Sequence, residues 1–165
     1  MEDGAGVERS FDDLVLHINQ QVSDDLGSGR FVTAFVGKLD PLTHRIDYHA
    51  AGQGPLLHFH AADERCQWHP ASTLPIGIMP DLDLQPPAPL LMAPGDLLIL
   101  LTDGFYEYQS PAGQQMGQDR LGLIVKHHHK GTAQELLDAI VTGLTEFASG
   151  APQLDDLTAV VIKRV

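Results

Sequence analysis

Two segments of the chain repeat apolar residues at the spacing of an amphipathic helix. The first has one apolar stripe formed by Phe11, Leu14, Val15, Ile18 and Val22. The second has a longer stripe formed by Leu136, Leu137, Ile140, Val141, Leu144 and Phe147. Each segment follows a capping pair, Ser10 with Asp13 and Thr132 with Glu135, and Gly27 ends the first. A shorter pattern predicts a third helix over residues 119–126.

Between these helices the pattern is typical of β-strands. Residues 30–39 and 45–51 are rich in strand-forming residues and flank the turn Asp40-Pro41-Leu42-Thr43, which predicts a hairpin. Shorter strands are predicted near residues 56–59, 67–69, 73–78, 90–92 and 159–162. The prolines between residues 80 and 89 preclude a helix and predict a loop or an edge strand. Many strands with three helices indicate an α+β fold.

The stretch from Pro94 to Gly104 combines a turn, an uninterrupted apolar run and a polar ending. Pro94-Gly95-Asp96 is the turn, and the run from Leu97 to Leu101 is too short for a separate helix. Such a run predicts a fully buried strand. The strand would deliver Thr102 and Asp103 to the rim of a sheet, where a carboxylate is well placed to bind a metal ion.

A second acidic site has the same relation to a strand. Asp155 and Asp156 come shortly before the β-branched run at residues 159–162. Two strand-edge carboxylate sites suit Mg²⁺ or Mn²⁺, which bind through one or two carboxylates with water and phosphate completing the shell. Taken alone, Asp-Gly after a strand and paired aspartates before one are also common turn sequences.

Charge and composition exclude several classes of function. The formal charge of -12 argues against nucleic-acid binding, which needs a basic face. Cys66 is the single cysteine, which precludes an internal disulfide and a cysteine metal motif. No long apolar run or charged-then-apolar N-terminus is present, so we expect no membrane span and a cytoplasmic location. His127-His128-His129 is expected to be a solvated cationic helix end.

Several short motifs occur in an order that resembles a known family. They are Phe31-Val32-Thr33-Ala34, Leu39-Asp40-Pro41, Ala51-Gly52-Gln53-Gly54-Pro55, Leu74-Pro75-Ile76-Gly77, Pro94-Gly95-Asp96, Thr102-Asp103-Gly104-Phe105-Tyr106-Glu107 and Asp155-Asp156-Leu157-Thr158. This order resembles the C-terminal two-thirds of the PPM (type 2C) serine/threonine phosphatases, in their bacterial branch similar to sporulation stage II protein E. The resemblance covers a predicted domain at residues 10–165, after a disordered segment at residues 1–9.

The resemblance implies a sandwich of two antiparallel sheets flanked by helices, with a binuclear Mn²⁺ or Mg²⁺ centre. The metals of such a centre activate water for attack on phosphoserine or phosphothreonine. By motif match, Asp103 and Asp155 would be the catalytic metal ligands. Asp156 and Gly104 would support them, the glycine by letting the chain pass close to the site. Thr102 and Glu107 would lie around the ligands.

Two departures from the family pattern affect the expected activity. The family usually has His where this chain has Gln53, and Gln cannot shuttle a proton near neutral pH. The family also places a Gly-Asp-x-x-Gly-His-Gly segment and a strand bearing an acidic ligand before the first helix. This chain begins too late to contain them, so the domain is expected to lack its N-terminal strands. Asp103 and Asp155 alone would hold at most one metal.

Three functions therefore stay open for this sequence. The first is a phosphatase that acts on a phosphorylated regulator, and the resemblance implies an anti-anti-sigma-type protein and an upstream sensor or receiver domain. The second is a catalytically inactive module that binds such a partner. The third is a homodimer formed through exposed sheet edges.

Overall fold

The computed structural model describes residues 10–27 and 29–165. The segment at residues 1–9, expected to be disordered, lies outside the described residues. The elements follow in the order α1 (Phe11–Leu26), β1 (Ala34–Asp40), β2 (Arg45–Ala51), β3 (Leu56–His60), β4 (Arg65–His69), β5 (Leu90–Leu91), β6 (Leu97–Leu101), α2 (Asp103–Tyr106), α3 (Gly117–His128), α4 (Ala133–Ala148) and β7 (Ala159–Lys163). Among the described residues, no helix has the length and apolar character needed to cross a membrane.

The strands form two antiparallel sheets, and the chain divides into two compact units. One sheet has the order β1-β2-β5 and the other the order β4-β3-β6-β7. Of the described residues, the first unit contains those up to residue 41 together with residues 46–53 and 71–90, and the second contains residues 42–45, 54–70 and 91–165. Two antiparallel sheets with helices confirm the predicted α+β class.

The second unit is built around β6. This strand lies between β3 and β7, with Ile99 opposite both Leu57 and Val161. Leu97, Leu98 and Ile99 are completely buried and Leu100 is half-buried, so the predicted strand is confirmed, with one position less buried than expected. The core then extends from the sheet to the helices through Leu121 and Val125 of α3 and Leu136, Ile140 and Leu144 of α4.

The first unit is organised by α1. The predicted capping box is present, with the Ser10 hydroxyl accepting the Asp13 N–H at 3.1 Å. Val15 packs with Ala51 and Ile76 in a small core. Asn19 is completely buried in the same helix, one turn further on.

The polar side chain of Asn19 makes three hydrogen bonds. Its Nδ2 donates to the carbonyls of Met79 at 3.0 Å and Pro80 at 2.9 Å, and its Oδ1 accepts the Gly77 N–H at 2.8 Å. These bonds satisfy the backbone of an irregular segment that has no sheet partner there. Asn19 therefore connects α1 to the segment at residues 77–80.

The structure extends or corrects several sequence predictions. The segment after Thr102 forms a single helical turn, α2, because the Phe105 N–H bonds the Thr102 carbonyl and the Glu107 N–H bonds the Asp103 carbonyl. The third predicted helix is longer than residues 119–126 and covers Gly117–His128. His129 does not belong to a solvated histidine end, since its side chain is only 11% exposed and its ring lies 5.0 Å from that of Phe59.

We expect the substitution Asn19→Ala to lower the free energy of unfolding by about 2–4 kcal/mol, because it leaves a buried N–H and two carbonyls without their partner. Urea denaturation followed by circular dichroism measures this change. The matched control is Gln20→Ala, which removes an exposed amide from the next position of α1 and should cost less than about 0.5 kcal/mol. Equal midpoints for the two variants would contradict this role of Asn19.

Candidate metal centre

Thr102, the residue after β6, connects two acidic loops of the second unit. Its backbone N–H donates to the Thr158 carbonyl at 3.0 Å. Its hydroxyl donates to the Asp156 carbonyl at 2.9 Å and accepts the Thr158 N–H at 3.0 Å. The Thr102 side chain therefore holds the loop that carries Asp155 and Asp156 against the segment just after β6. Asp103 lies in that segment.

Gly104 makes this close approach sterically feasible. A Cβ atom at this position would lie 2.6 Å from the Asp156 carbonyl oxygen and 3.2 Å from Leu157. The first contact is with backbone, which cannot rotate away as a flexible side chain would. Any residue larger than glycine would thus push the two acidic loops apart.

The two candidate ligands are exposed carboxylates with the same local geometry. Asp103 Oδ1 accepts the N–H of Gly104 at 3.1 Å, and Asp155 Oδ1 accepts the N–H of Asp156 at 2.7 Å. Each bond orients its carboxylate relative to the backbone. Because an ionised carboxylate can accept about four hydrogen bonds, each retains the capacity to coordinate a cation.

A cleft of about 180 Å³ lies beside these loops. Asp155 and Glu107 contribute carboxylates to its lining, and Gly104 and Tyr108 form part of its wall. The Tyr108 hydroxyl is anchored to the Ala151 carbonyl at 3.1 Å. The cleft is therefore acidic, a character that favours a cation.

Tyr106, on α2, is held neutral beside the acidic residues. Burial is the main cause that raises its pKa above the usual value, and the charges of Asp103 and Glu107 raise it further. Its hydroxyl donates to the Gly54 carbonyl at 2.9 Å. This bond ties α2 to the start of β3.

The structure thus joins the two predicted ligand loops, because Thr102 and Gly104 both approach the Asp156 backbone. Asp103 lies between these two residues in the chain, and Asp155 precedes Asp156. Glu107 joins Asp155 at the cleft. Gln53 belongs to the first unit, where it is half-buried and follows Gly52. Gly52 has a positive φ of 65° and its backbone N–H donates to the Thr73 carbonyl at 2.9 Å, so this turn is tied to the segment after β4.

A second group of potential metal ligands lies at the other end of β6 and was missed by the sequence analysis. His58, His60 and Asp96 can each offer one ligand atom, and these atoms lie within 4.8 Å of one another. Burial, assisted by the neighbouring His60, lowers the pKa of His58 to about 4, so its ring is neutral at physiological pH. The alternation His58-Phe59-His60 on a strand could have indicated two histidines on one face.

The sequence of this chain is similar to those of known proteins. A sequence model of the stage II sporulation protein E (SpoIIE) family matches residues 3–165. Phosphoserine phosphatase RsbU of Bacillus subtilis is 26% identical over 151 residues, which are 92% of this chain and 44% of RsbU. Protein IcfG of Synechocystis is 29% identical over 167 residues, 98% of this chain and 26% of IcfG. The chain therefore spans less than half of either curated relative.

Solved structures show the same fold. The SiaA-PP2C domain of Pseudomonas aeruginosa superposes with a TM-score of 0.68 at 23% identity, covering 79% of this chain and 51% of that one. The phosphatase domain of the cell fate determinant SpoIIE from Bacillus subtilis, presoaked with Mn, gives a TM-score of 0.64 at 18% identity, covering 96% and 68%. These likenesses confirm the PP2C-like fold that the motif order implied. The chain belongs to the SpoIIE family, a branch of the PPM phosphatases.

Proposed function

We propose that this chain is a metal-dependent phosphatase domain that hydrolyses phosphoserine or phosphothreonine on a bacterial regulatory protein. The observation that supports this most is the pairing of two exposed carboxylate loops by Thr102 and Gly104 at the end of a buried strand. The family supplies the reaction class, since its curated relative RsbU is named a phosphoserine phosphatase.

The donor set fits a hard divalent cation. Asp103 and Asp155 are oxygen ligands on adjacent loops, and Mg²⁺ and Mn²⁺ favour such oxygens with water in the remaining positions. A bound metal of this type lowers the pKa of water and neutralises charge on a phosphoryl group. The neighbouring relative that was presoaked with Mn supports Mn²⁺ as the first ion to test.

The surrounding residues have separate proposed roles. Thr102 fixes the distance between the two loops through its hydroxyl, and Gly104 keeps that distance short. Asp156 supports the site in two ways. Its backbone carbonyl accepts the Thr102 hydroxyl, and its own carboxylate neighbours that of Asp155 in the chain. Glu107 adds negative charge to the cleft beside Asp155. In the first unit, Gln53 stands where the family usually has histidine, and its proposed role is that of a neutral hydrogen-bonding residue.

The proposed substrate is a phosphorylated regulatory protein in the cytoplasm. The similarity to RsbU, a phosphoserine phosphatase, supports phosphoserine as the group that is hydrolysed. The similarity to the phosphatase domain of SpoIIE, a cell fate determinant, supports a regulatory protein as the substrate. An anti-anti-sigma-type protein is the partner that the resemblance implies. An inactive module that binds the same phosphoprotein without hydrolysing it is the alternative outcome.

We expect Asp103→Asn to weaken Mn²⁺ binding at least tenfold and to abolish Mn²⁺-dependent release of phosphate from a phosphoserine peptide, because the variant loses a charged ligand. Calorimetry measures the binding and a phosphate assay measures the turnover. Both are run on the 165-residue chain and on its Asp103→Asn variant.

The matched control for this prediction is Asp63→Asn, which makes the same change at an exposed position of the turn between β3 and β4. It should leave Mn²⁺ affinity and turnover within about twofold of the original, since solvated surface carboxylates contribute little to a distant site. Equal activity in the Asp103→Asn and original proteins would contradict the proposed site. Tight phosphopeptide binding without turnover would favour the inactive module.

We also expect Thr102→Val to weaken Mn²⁺ binding by about 10- to 100-fold, because it removes the hydroxyl that positions the Asp155 loop without removing a ligand. Thr102→Ser keeps the hydroxyl and should retain most of the affinity. Calorimetry on the two variants separates them. Similar affinities for Ser and Val at this position would show that the hydroxyl does not position the ligands.

A further inference from the structure

We propose that His58, His60 and Asp96 form a binding site for a Zn²⁺-type transition-metal ion, separate from the carboxylates at the other end of β6. The three residues lie within the second unit. His58 and His60 are on one face of β3, and Asp96 immediately precedes β6. Because Phe59 pairs with Leu97 in the antiparallel ladder, His60 lies next to Asp96 across the strands.

The distances among the three side chains suit a shared cation. Asp96 Oδ2 lies 3.5 Å from His58 Nε2 and 3.8 Å from His60 Nδ1. Ligand atoms placed tetrahedrally at about 2.0–2.1 Å from a zinc ion are roughly 3.4 Å apart. The two separations from Asp96 therefore need only small side-chain shifts to enclose an ion, and all three ligand atoms lie within 4.8 Å of one another.

The hydrogen bonds around His60 indicate which ring nitrogen faces the cluster without a proton. Gln67 Oε1 accepts Arg65 Nη1 at 2.8 Å, which fixes this atom as the amide oxygen. His60 Nε2 lies 3.1 Å from the same oxygen and must donate to it. The neutral ring then has its proton on Nε2, and Nδ1 presents a lone pair toward Asp96.

His58 supplies a second nitrogen, Nε2, which lies 3.5 Å from Asp96 Oδ2. Its side chain is 4% exposed, and Nε2 has no hydrogen-bond partner among the described residues. A buried polar atom of this kind is costly unless it is paired. A metal ion bound here would coordinate this nitrogen, the His60 lone pair and the Asp96 carboxylate at the same time.

The carboxylate of Asp96 is already oriented for this role. Its Oδ1 accepts the Ala61 N–H and its Oδ2 accepts the Ala93 N–H, both at 2.8 Å. Such outer bonds typically hold metal-binding carboxylates in place. Asp96 is thus anchored, and Oδ2 retains a further lone pair for a cation.

The donor set discriminates between metals. Two imidazole nitrogens with one carboxylate oxygen favour Zn²⁺ and related ions, whereas Mg²⁺ and Mn²⁺ favour all-oxygen sites. His69 is a candidate for a fourth ligand, because its ring centroid lies 6.2 Å from that of His58 and its buried Nε2 also has no hydrogen-bond partner among the described residues. Water could fill the same position.

The test is a titration of the metal-free chain with Zn²⁺ alone, followed by calorimetry and by thermal unfolding. We expect one ion to bind at this site and to raise the Tm. His60→Gln, at a side chain that is 22% exposed, should weaken binding at least tenfold and remove the Tm increase. Circular dichroism of the metal-free variant checks that it is folded, and Co²⁺ absorption provides a second readout of the ligand geometry.

Two controls distinguish this site from the other metal-binding groups of the chain. The double variant His127→Gln, His128→Gln removes the exposed histidines of α3, and Asp103→Asn alters the strand-end carboxylates. Both should keep the Zn²⁺ affinity and the Tm increase. Absence of Zn²⁺ binding, unchanged binding in folded His60→Gln, or loss of binding in either control would overturn the proposal. None of these results depends on phosphatase activity.

Discussion

The burial of β6 is the constraint on which the second unit depends. The strand has hydrogen-bonded neighbours on both sides and apolar side chains from Leu97 to Leu101, so no charged group can be placed within it at a tolerable cost. Charged residues occur only before and after the run, at Asp96 and Asp103. The strand also fixes both carboxylates in a rigid frame, because a five-residue strand spans about 17 Å and cannot bend within a packed core.

The two ends of this strand use their carboxylates differently. After β6, the Thr102 hydroxyl and the Gly104 backbone bring a second acidic loop close, and the result is an exposed group of oxygen ligands. Before β6, the Asp96 carboxylate is buried, accepts two backbone N–H groups and faces two histidines of β3. Oxygen ligands favour Mg²⁺ or Mn²⁺ and imidazoles favour Zn²⁺, so one sheet carries two candidate sites of different metal preference.

Local sequence patterns predicted the structural features that depend only on residues close together in the chain. The capping residues Ser10 and Thr132 and the apolar run of β6 predicted the helix starts and the buried strand, since these depend on neighbouring residues alone. The His58–Asp96 pair could not be predicted, because it depends on the register of β3 against β6. The order of motifs identified the family and the fold, whereas the roles of Asp103 and Asp155 stay predictions until a metal is bound.

The measurement that tests the central claim most directly is the anomalous diffraction of Mn²⁺ in crystals soaked with the ion. It locates each bound metal without relying on activity or on the behaviour of a variant. We expect anomalous density within coordination distance of the Asp103 and Asp155 carboxylates. Density found only elsewhere, or none at these two carboxylates under saturating Mn²⁺, would contradict it.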